Sequence, residues 1–218
     1  EFFHFGQEIP EELKSKYNYH ENVLVHAVPQ FNEYGLKAYS ALQETGSYML
    51  RAIALYLGLD EMYFEEHIKY GNSILRPIHY GPIVDAPKNA VRAGQHEDIN
   101  LITLLMGASA AGLEVLDKQN NWIAITALPN QLVVNVGDML QRLTNDKLRS
   151  TTHRVVNPPK EEWGTTRFSI PFFLHPESDM RLDCLPNCIN EDNPKQYEDI
   201  SAGDFLNERL IEIGLLKK

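Results

Sequence analysis

The chain reads as a mainly β fold with flanking helices, an antiparallel sandwich or barrel. Three observations carry this reading. From residue 73 onward, short apolar runs alternate with polar positions at a period of two. Turn-forming pairs break those runs at near-regular intervals, among them Gly81-Pro82, Asn120-Asn121 and Gly137-Asp138. Before residue 72 the apolar period is three to four, and an amphipathic run closes the chain. Residues 1–72 are therefore expected to be an irregular segment with supporting helices, and residues 73–218 a β core with a C-terminal helix.

In chain order, the stretch to Phe31 is irregular and carries Pro10 and Pro29 among scattered aromatics. Tyr39, Leu42, Met49, Ile53 and Leu57 then recur at helical spacing, which predicts a helix from Tyr34 to Leu57 closed by Gly58. Asp60 caps a second helix through Phe64 and Ile68 to Gly71. Ile74, Ile78 and Tyr80 alternate with Leu75, Pro77 and His79 until Gly81-Pro82. Further strands are expected over His96–Met106, Gly112–Leu116, Trp122–Ile125, Leu132–Val136, Ser150–Val156 and Arg167–Leu174. Ala202 to Leu216 reads as a helix with Phe205, Leu206, Leu210 and Ile213 on its apolar side.

Composition narrows the function. A formal net charge of −10 disfavours nucleic acid and anionic membrane surfaces as partners, and no apolar run is long enough to span a bilayer. Glu1-Phe2-Phe3 begins without Met or a signal-peptide layout, so the chain is expected to start inside a longer protein and to work in the cytoplasm. Cys184 and Cys188 read as two reduced thiols in a Pro-containing loop.

The chemistry concentrates at Gly94-Gln95-His96-Glu97-Asp98-Ile99-Asn100. On one strand, His96 and Asp98 would share a face. With His153 they supply two imidazoles and a carboxylate, the set that holds Fe(II) and leaves coordination positions open. Arg167 and Ser169 also share a strand face, and a guanidinium fork beside a hydroxyl is a receptor for a carboxylate. Taken singly, a His-x-Asp pair equally fits a structural histidine, and Arg167 a surface charge. Gln95 and Glu97 would face the other way, toward solvent.

Together, His-x-Asp, a distant histidine in Thr152-His153-Arg154-Val155, and Arg-x-Ser shortly after it resemble the Fe(II)/2-oxoglutarate-dependent oxygenases, in the isopenicillin N synthase-like branch. Leu75-Arg76, Ile78-His79-Tyr80-Gly81-Pro82 and Asn135-Val136-Gly137-Asp138-Met139-Leu140 extend the resemblance over most of the chain. It implies a double-stranded β-helix, a jelly-roll or cupin-like barrel, whose N-terminal part is missing here; an uncovered sheet edge or apolar surface is expected in its place. It also implies that His96, Asp98 and His153 bind Fe(II), and that Arg167, Ser169 and Tyr80 bind 2-oxoglutarate. Phe173, Ile78 and Leu104 are then weaker candidates for the substrate pocket. Ile78 departs from many plant relatives, which carry an asparagine there.

The implied activity is oxidation, foremost hydroxylation, of a C–H bond of a small-molecule substrate by O2, with release of succinate and CO2. The same scaffold also serves Fe(II) oxidases that need no 2-oxoglutarate, like isopenicillin N synthase or aminocyclopropanecarboxylate oxidase. A non-catalytic cupin-like metal-binding protein is the reading from a different class. A zinc hydrolase lacks a general base beside the triad.

Overall fold

The computed structural model describes residues 1–217 apart from Asn18, residues 86–89, Ala127 and Pro129. Among the described residues, ten strands and four α-helices follow in the order β1 (Phe5–Gly6), α1 (Pro29–Tyr56), α2 (Glu65–Ile68), β2 (Ile74–Leu75), β3 (Ile78–Tyr80), β4 (Ala93–His96), β5 (Ile102–Met106), β6 (Leu113–Leu116), β7 (Trp122–Ala124), β8 (Leu132–Val136), α3 (Asp138–Leu143), β9 (His153–Val155), β10 (Arg167–Leu174) and α4 (Ala202–Glu212). They form two antiparallel sheets. The larger runs β1-β2-β10-β5-β8, with β3 also paired to β10, and the smaller runs β4-β9-β6-β7. This is the jelly-roll architecture, with a cavity lined by both sheets.

Strand β10 divides the molecule by alternation. Phe172 and Leu174 point into the apolar core, while Arg167, Ser169, Pro171 and Phe173 line the cavity. The core side is closed by α1. Pro29 occupies its first turn, where a missing N–H costs nothing. Tyr39, Leu42, Gly46, Leu50 and Ala54 form its buried stripe, and Gly58, at φ 70°, ends the helix in the left-handed conformation. Tyr39 meets Phe172 edge-on at 5.1 Å between centroids. One core thus draws on residues before and after position 72.

Several sequence-based boundaries shift. Helix α1 starts five residues before Tyr34. The apolar tail helix stops at Glu212, because Gly214 turns left-handed at φ 77°, and Ile213 is left 62% exposed. Gly137-Asp138 breaks the strand as expected, ending β8 at Val136, and also opens α3. Among the described residues β8 pairs only with β5, and Met106, Leu132 and Val134 are exposed by 37–38%, so one edge of the large sheet is uncovered and apolar. Both cysteines are free and buried. No helix among the described residues is long and apolar enough to cross a membrane.

The expected strand His96–Met106 is two strands separated by a turn at residues 97–101. The turn has its own physical cause. The first N–H groups of a helix have no partner inside it. Here Gly137 N donates to Leu101 O at 2.9 Å, Asp138 N to Asp98 O at 2.8 Å, and Met139 N to Ile99 O and Asn100 O at 3.2 Å each. The start of α3 therefore takes up the carbonyls of residues 98–101. The approach is close: a Cβ on Gly137 would lie 2.3 Å from Asn100 O. Gly137→Ala should accordingly lower stability by about 1–3 kcal/mol. A urea midpoint measured at unchanged m-value checks this, and an unshifted midpoint would contradict the close approach.

Candidate active site

His96 ends β4 and pairs in register with His153 at the start of β9. Their ring centroids are 4.3 Å apart. Each imidazole is oriented by a carbonyl two residues upstream: His96 Nδ1 lies 2.8 Å from Gly94 O, and His153 Nδ1 lies 2.9 Å from Thr151 O. A carbonyl only accepts, so Nδ1 is the donor in both rings, the arrangement that turns Nε2 toward a metal. Asp98 comes from the turn, not from a shared strand face. Its Oδ1 lies 3.8 Å from His153 Nε2. One donor atom from each of His96, Asp98 and His153 falls within 4.8 Å of the others, a cluster that could hold a metal ion.

The aspartate is held by its other oxygen. Asp98 Oδ2 accepts from Thr103 Oγ1 at 2.6 Å and from Asn135 Nδ2 at 2.9 Å. Thr103 and Asn135 stand directly opposite each other on β5 and β8, and Asn100 Nδ2 donates to Thr103 Oγ1 at 3.0 Å. These bonds leave Oδ1 free beside the imidazoles, so the carboxylate is set to offer one oxygen. Bonds of this kind orient a metal ligand and sharpen its basicity.

The three residues line a cavity of about 410 Å³ with mostly apolar walls, a size that suits a small molecule. Arg167, 1% exposed, and Ser169, 5% exposed, line the same cavity. Tyr80 pairs with Arg167 across β3 and β10, its ring centroid 5.3 Å from the guanidinium carbon. Burial pushes the Arg167 pKa below its ordinary value, yet a guanidinium stays charged. Its Nε donates to Ala110 O at 3.2 Å. Its Nη1 is buried with no hydrogen-bond partner among the described residues. An unpaired buried N–H on a cation is costly unless an anionic ligand completes it. The donor set fits both groups under consideration: neutral imidazoles and a carboxylate suit a divalent iron, and a guanidinium with an open N–H beside a hydroxyl suits the far carboxylate of 2-oxoglutarate.

The profile of the 2OG-Fe(II) oxygenase superfamily matches residues 71–176, the span from before β2 to just after β10. A solved protein of Caulobacter crescentus assigned to that family is 46% identical, with a TM-score of 0.90 over 97% of this chain and 69% of its own. The chain belongs to the 2OG-Fe(II) oxygenase superfamily. Another solved member, the full-length Neurospora crassa enzyme in complex with alpha-KG and 5-formyluracil, is 31% identical, with a TM-score of 0.84 over 97% of this chain and 68% of its own. Among named relatives, kihadalactone A synthase of Citrus sinensis is 34% identical over 98% of this chain and 66% of its own length. A 2-oxoglutarate-Fe(II) type oxidoreductase of Emericella nidulans is 32% identical over 94% and 61%. The chain thus spans less than two thirds of the length of these two relatives.

The residues singled out from the sequence divide as follows. His96, Asp98, His153, Tyr80, Arg167 and Ser169 all line one cavity, as do Phe173 and Ile78. Leu104 does not. It is fully buried in the core, because on β5 the cavity side belongs to Thr103 and Leu105. Gln95 and Glu97 are exposed, and Glu97 Oε1 accepts from Thr152 Oγ1 at 2.6 Å. Thr103, Asn135 and Arg76 were not singled out for a role. Once β5 starts at Ile102, the alternation that places Leu105 on the cavity side also places Thr103 there. Thr103→Val and Asn135→Leu should each weaken Mn(II) binding by about 10–100-fold. Titration followed by electron paramagnetic resonance measures this, and a loss below threefold in both variants would contradict the orienting role of these bonds.

Proposed function

We propose that the protein is an Fe(II)- and 2-oxoglutarate-dependent oxygenase that hydroxylates a C–H bond of a small-molecule substrate. One observation carries this reading: a cluster of three metal donors shares one apolar cavity with a buried guanidinium whose Nη1 has no partner among the described residues. A metal-binding protein without activity would have no use for that second, expensive feature. The names of the relatives support the same reading, and the ligands of the Neurospora enzyme support a substrate of small size.

In this reading His96, Asp98 and His153 would hold Fe(II) through Nε2, one carboxylate oxygen and Nε2. Arg167, Ser169 and Tyr80 would hold the far carboxylate of 2-oxoglutarate. Bound together, the metal and cosubstrate supply O2 activation: one oxygen atom enters the C–H bond and the other enters succinate as CO2 is lost. The protein contributes position and exclusion of water. Leu105, Leu113, Val115, Val133 and Phe173 form apolar walls that keep the reacting centre dry and the substrate close.

Two measurements test this. Turnover of a substrate found by mass-change screening with Fe(II) and 2-oxoglutarate should release succinate in step with product, and turnover without succinate would overturn the cosubstrate assignment. Arg167→Lys should weaken 2-oxoglutarate binding about tenfold or more, because a point charge cannot reproduce the fork. Unchanged affinity would refute the role of Arg167.

A further inference from the structure

The cavity has a second arginine that neither the metal nor the cosubstrate uses. We infer that Arg76 is an anion receptor of its own, and that the substrate presents a carboxylate to it. This rests on the function proposed above and names the class of substrate for that same site.

Arg76 lies between β2 and β3, and its backbone is tied to β10 by Arg76 N donating to Pro171 O at 2.9 Å. Its side chain lines the cavity together with Ile78 and Phe173. The guanidinium lies over two aromatic rings: its carbon is 4.9 Å from the Phe173 ring centroid and 5.2 Å from the Phe2 centroid. Stacking of this kind holds a guanidinium plane rigid. Its Nε donates to His4 Nε2 at 2.7 Å. His4 is able to accept because desolvation and the adjacent guanidinium hold its pKa at about 4. Two rings and one acceptor thus hold the group. The terminal nitrogens make no hydrogen bond among the described residues, and they are the donors that a carboxylate takes up in pairs.

Charge points the same way. Burial lowers the pKa of Arg76, with Asp98 as the largest group opposing that shift. Yet Asp98 makes no ion pair with it. The Oδ2 of that carboxylate is held by Thr103 and Asn135, and its Oδ1 faces His153. Among the described residues, the charged groups lining the cavity are two guanidiniums and one carboxylate. A divalent metal adds two positive charges and 2-oxoglutarate two negative ones, so one positive charge is left over in an apolar cavity. A substrate with one carboxylate cancels it, whereas a neutral substrate leaves a desolvated cation without a counter-ion. Arg76 alone has its terminal N–H groups free to meet that anion, since Arg167 is committed to the cosubstrate.

The test uses benzoate and benzamide, which share shape and differ in charge. The protein is first loaded with Mn(II) and 2-oxoglutarate, and uptake of 2-oxoglutarate is measured before any probe is added. Broadening of the probe's proton resonances by Mn(II) then reports binding inside the cavity. Benzoate should half-saturate the wild-type protein at a concentration at least tenfold lower than benzamide. Arg76→Gln keeps a donor for His4 and should remove that preference, while Arg76→Lys should keep part of it. Uptake of 2-oxoglutarate should be the same in all three proteins and unaffected by benzoate. Equal binding of the two probes, absence of benzoate broadening, displacement of 2-oxoglutarate by benzoate, or an unchanged preference in Arg76→Gln would each overturn the inference. Failure of the wild-type protein to take up 2-oxoglutarate is read before the probes and would instead overturn the proposed function.

Discussion

The structure depends on the docking of one turn onto the start of one short helix. Residues 98–101 break what would otherwise run as a single strand from His96 to Met106, and the N–H groups of Gly137, Asp138 and Met139 take up their carbonyls. A turn carrying this many inward-facing carbonyls would be expensive to bury without donors. The helix supplies them at no cost, because its first N–H groups have no other use. Bringing Asp98 out of the strand swings its carboxylate toward Thr103, Asn135 and His153, and so assembles the cluster. The absence of a side chain at position 137 is what allows the approach.

Strand β10 imposes the second constraint. Its alternation gives one face to the core under α1 and the other to the cavity, so a single strand both anchors the fold and carries Arg167, Ser169 and Phe173. Burying a guanidinium there works against stability unless something neutralises it. The protein tolerates that cost at Arg167, and to a lesser degree at Arg76, beside a cluster of metal donors. Such concentrations of desolvated charge are typical of functional sites. Around them the walls are apolar, which strengthens every electrostatic contact made inside.

Much of this was legible in the residues, for reasons that can be named. Counting by twos from Arg167 and Ser169 puts Phe173 with them and Phe172 on the opposite side, and the structure places Phe173 in the cavity and Phe172 in the core. The chemistry of two histidines, an aspartate and an Arg-x-Ser pair is carried by side-chain type, which survives errors of secondary structure. His96 and Asp98 were grouped as neighbours on a strand, and they do come together, but through the turn. That turn is stabilised by a helix from a distant part of the chain, and Gly137-Asp138 reads locally as a breaker. Alternation also gives parity without phase, so the sequence leaves Leu104 open between pocket and core, and the start of β5 at Ile102 places it in the core. No role for Arg76 is legible in the sequence, because its stacking partner Phe2 and its acceptor His4 come from the irregular opening stretch, which has no periodicity to read.

The central claim is that the turn-borne carboxylate of Asp98 completes a metal site with His96 and His153. The Asp98→Ala variant tests it most directly, since the backbone carbonyl that accepts from Asp138 remains and the turn should stay docked. Anaerobic titration of Fe(II) should show one equivalent bound by the wild-type protein and none by the variant, with the urea midpoint little changed. Iron binding retained at wild-type affinity in a folded Asp98→Ala protein would contradict the account.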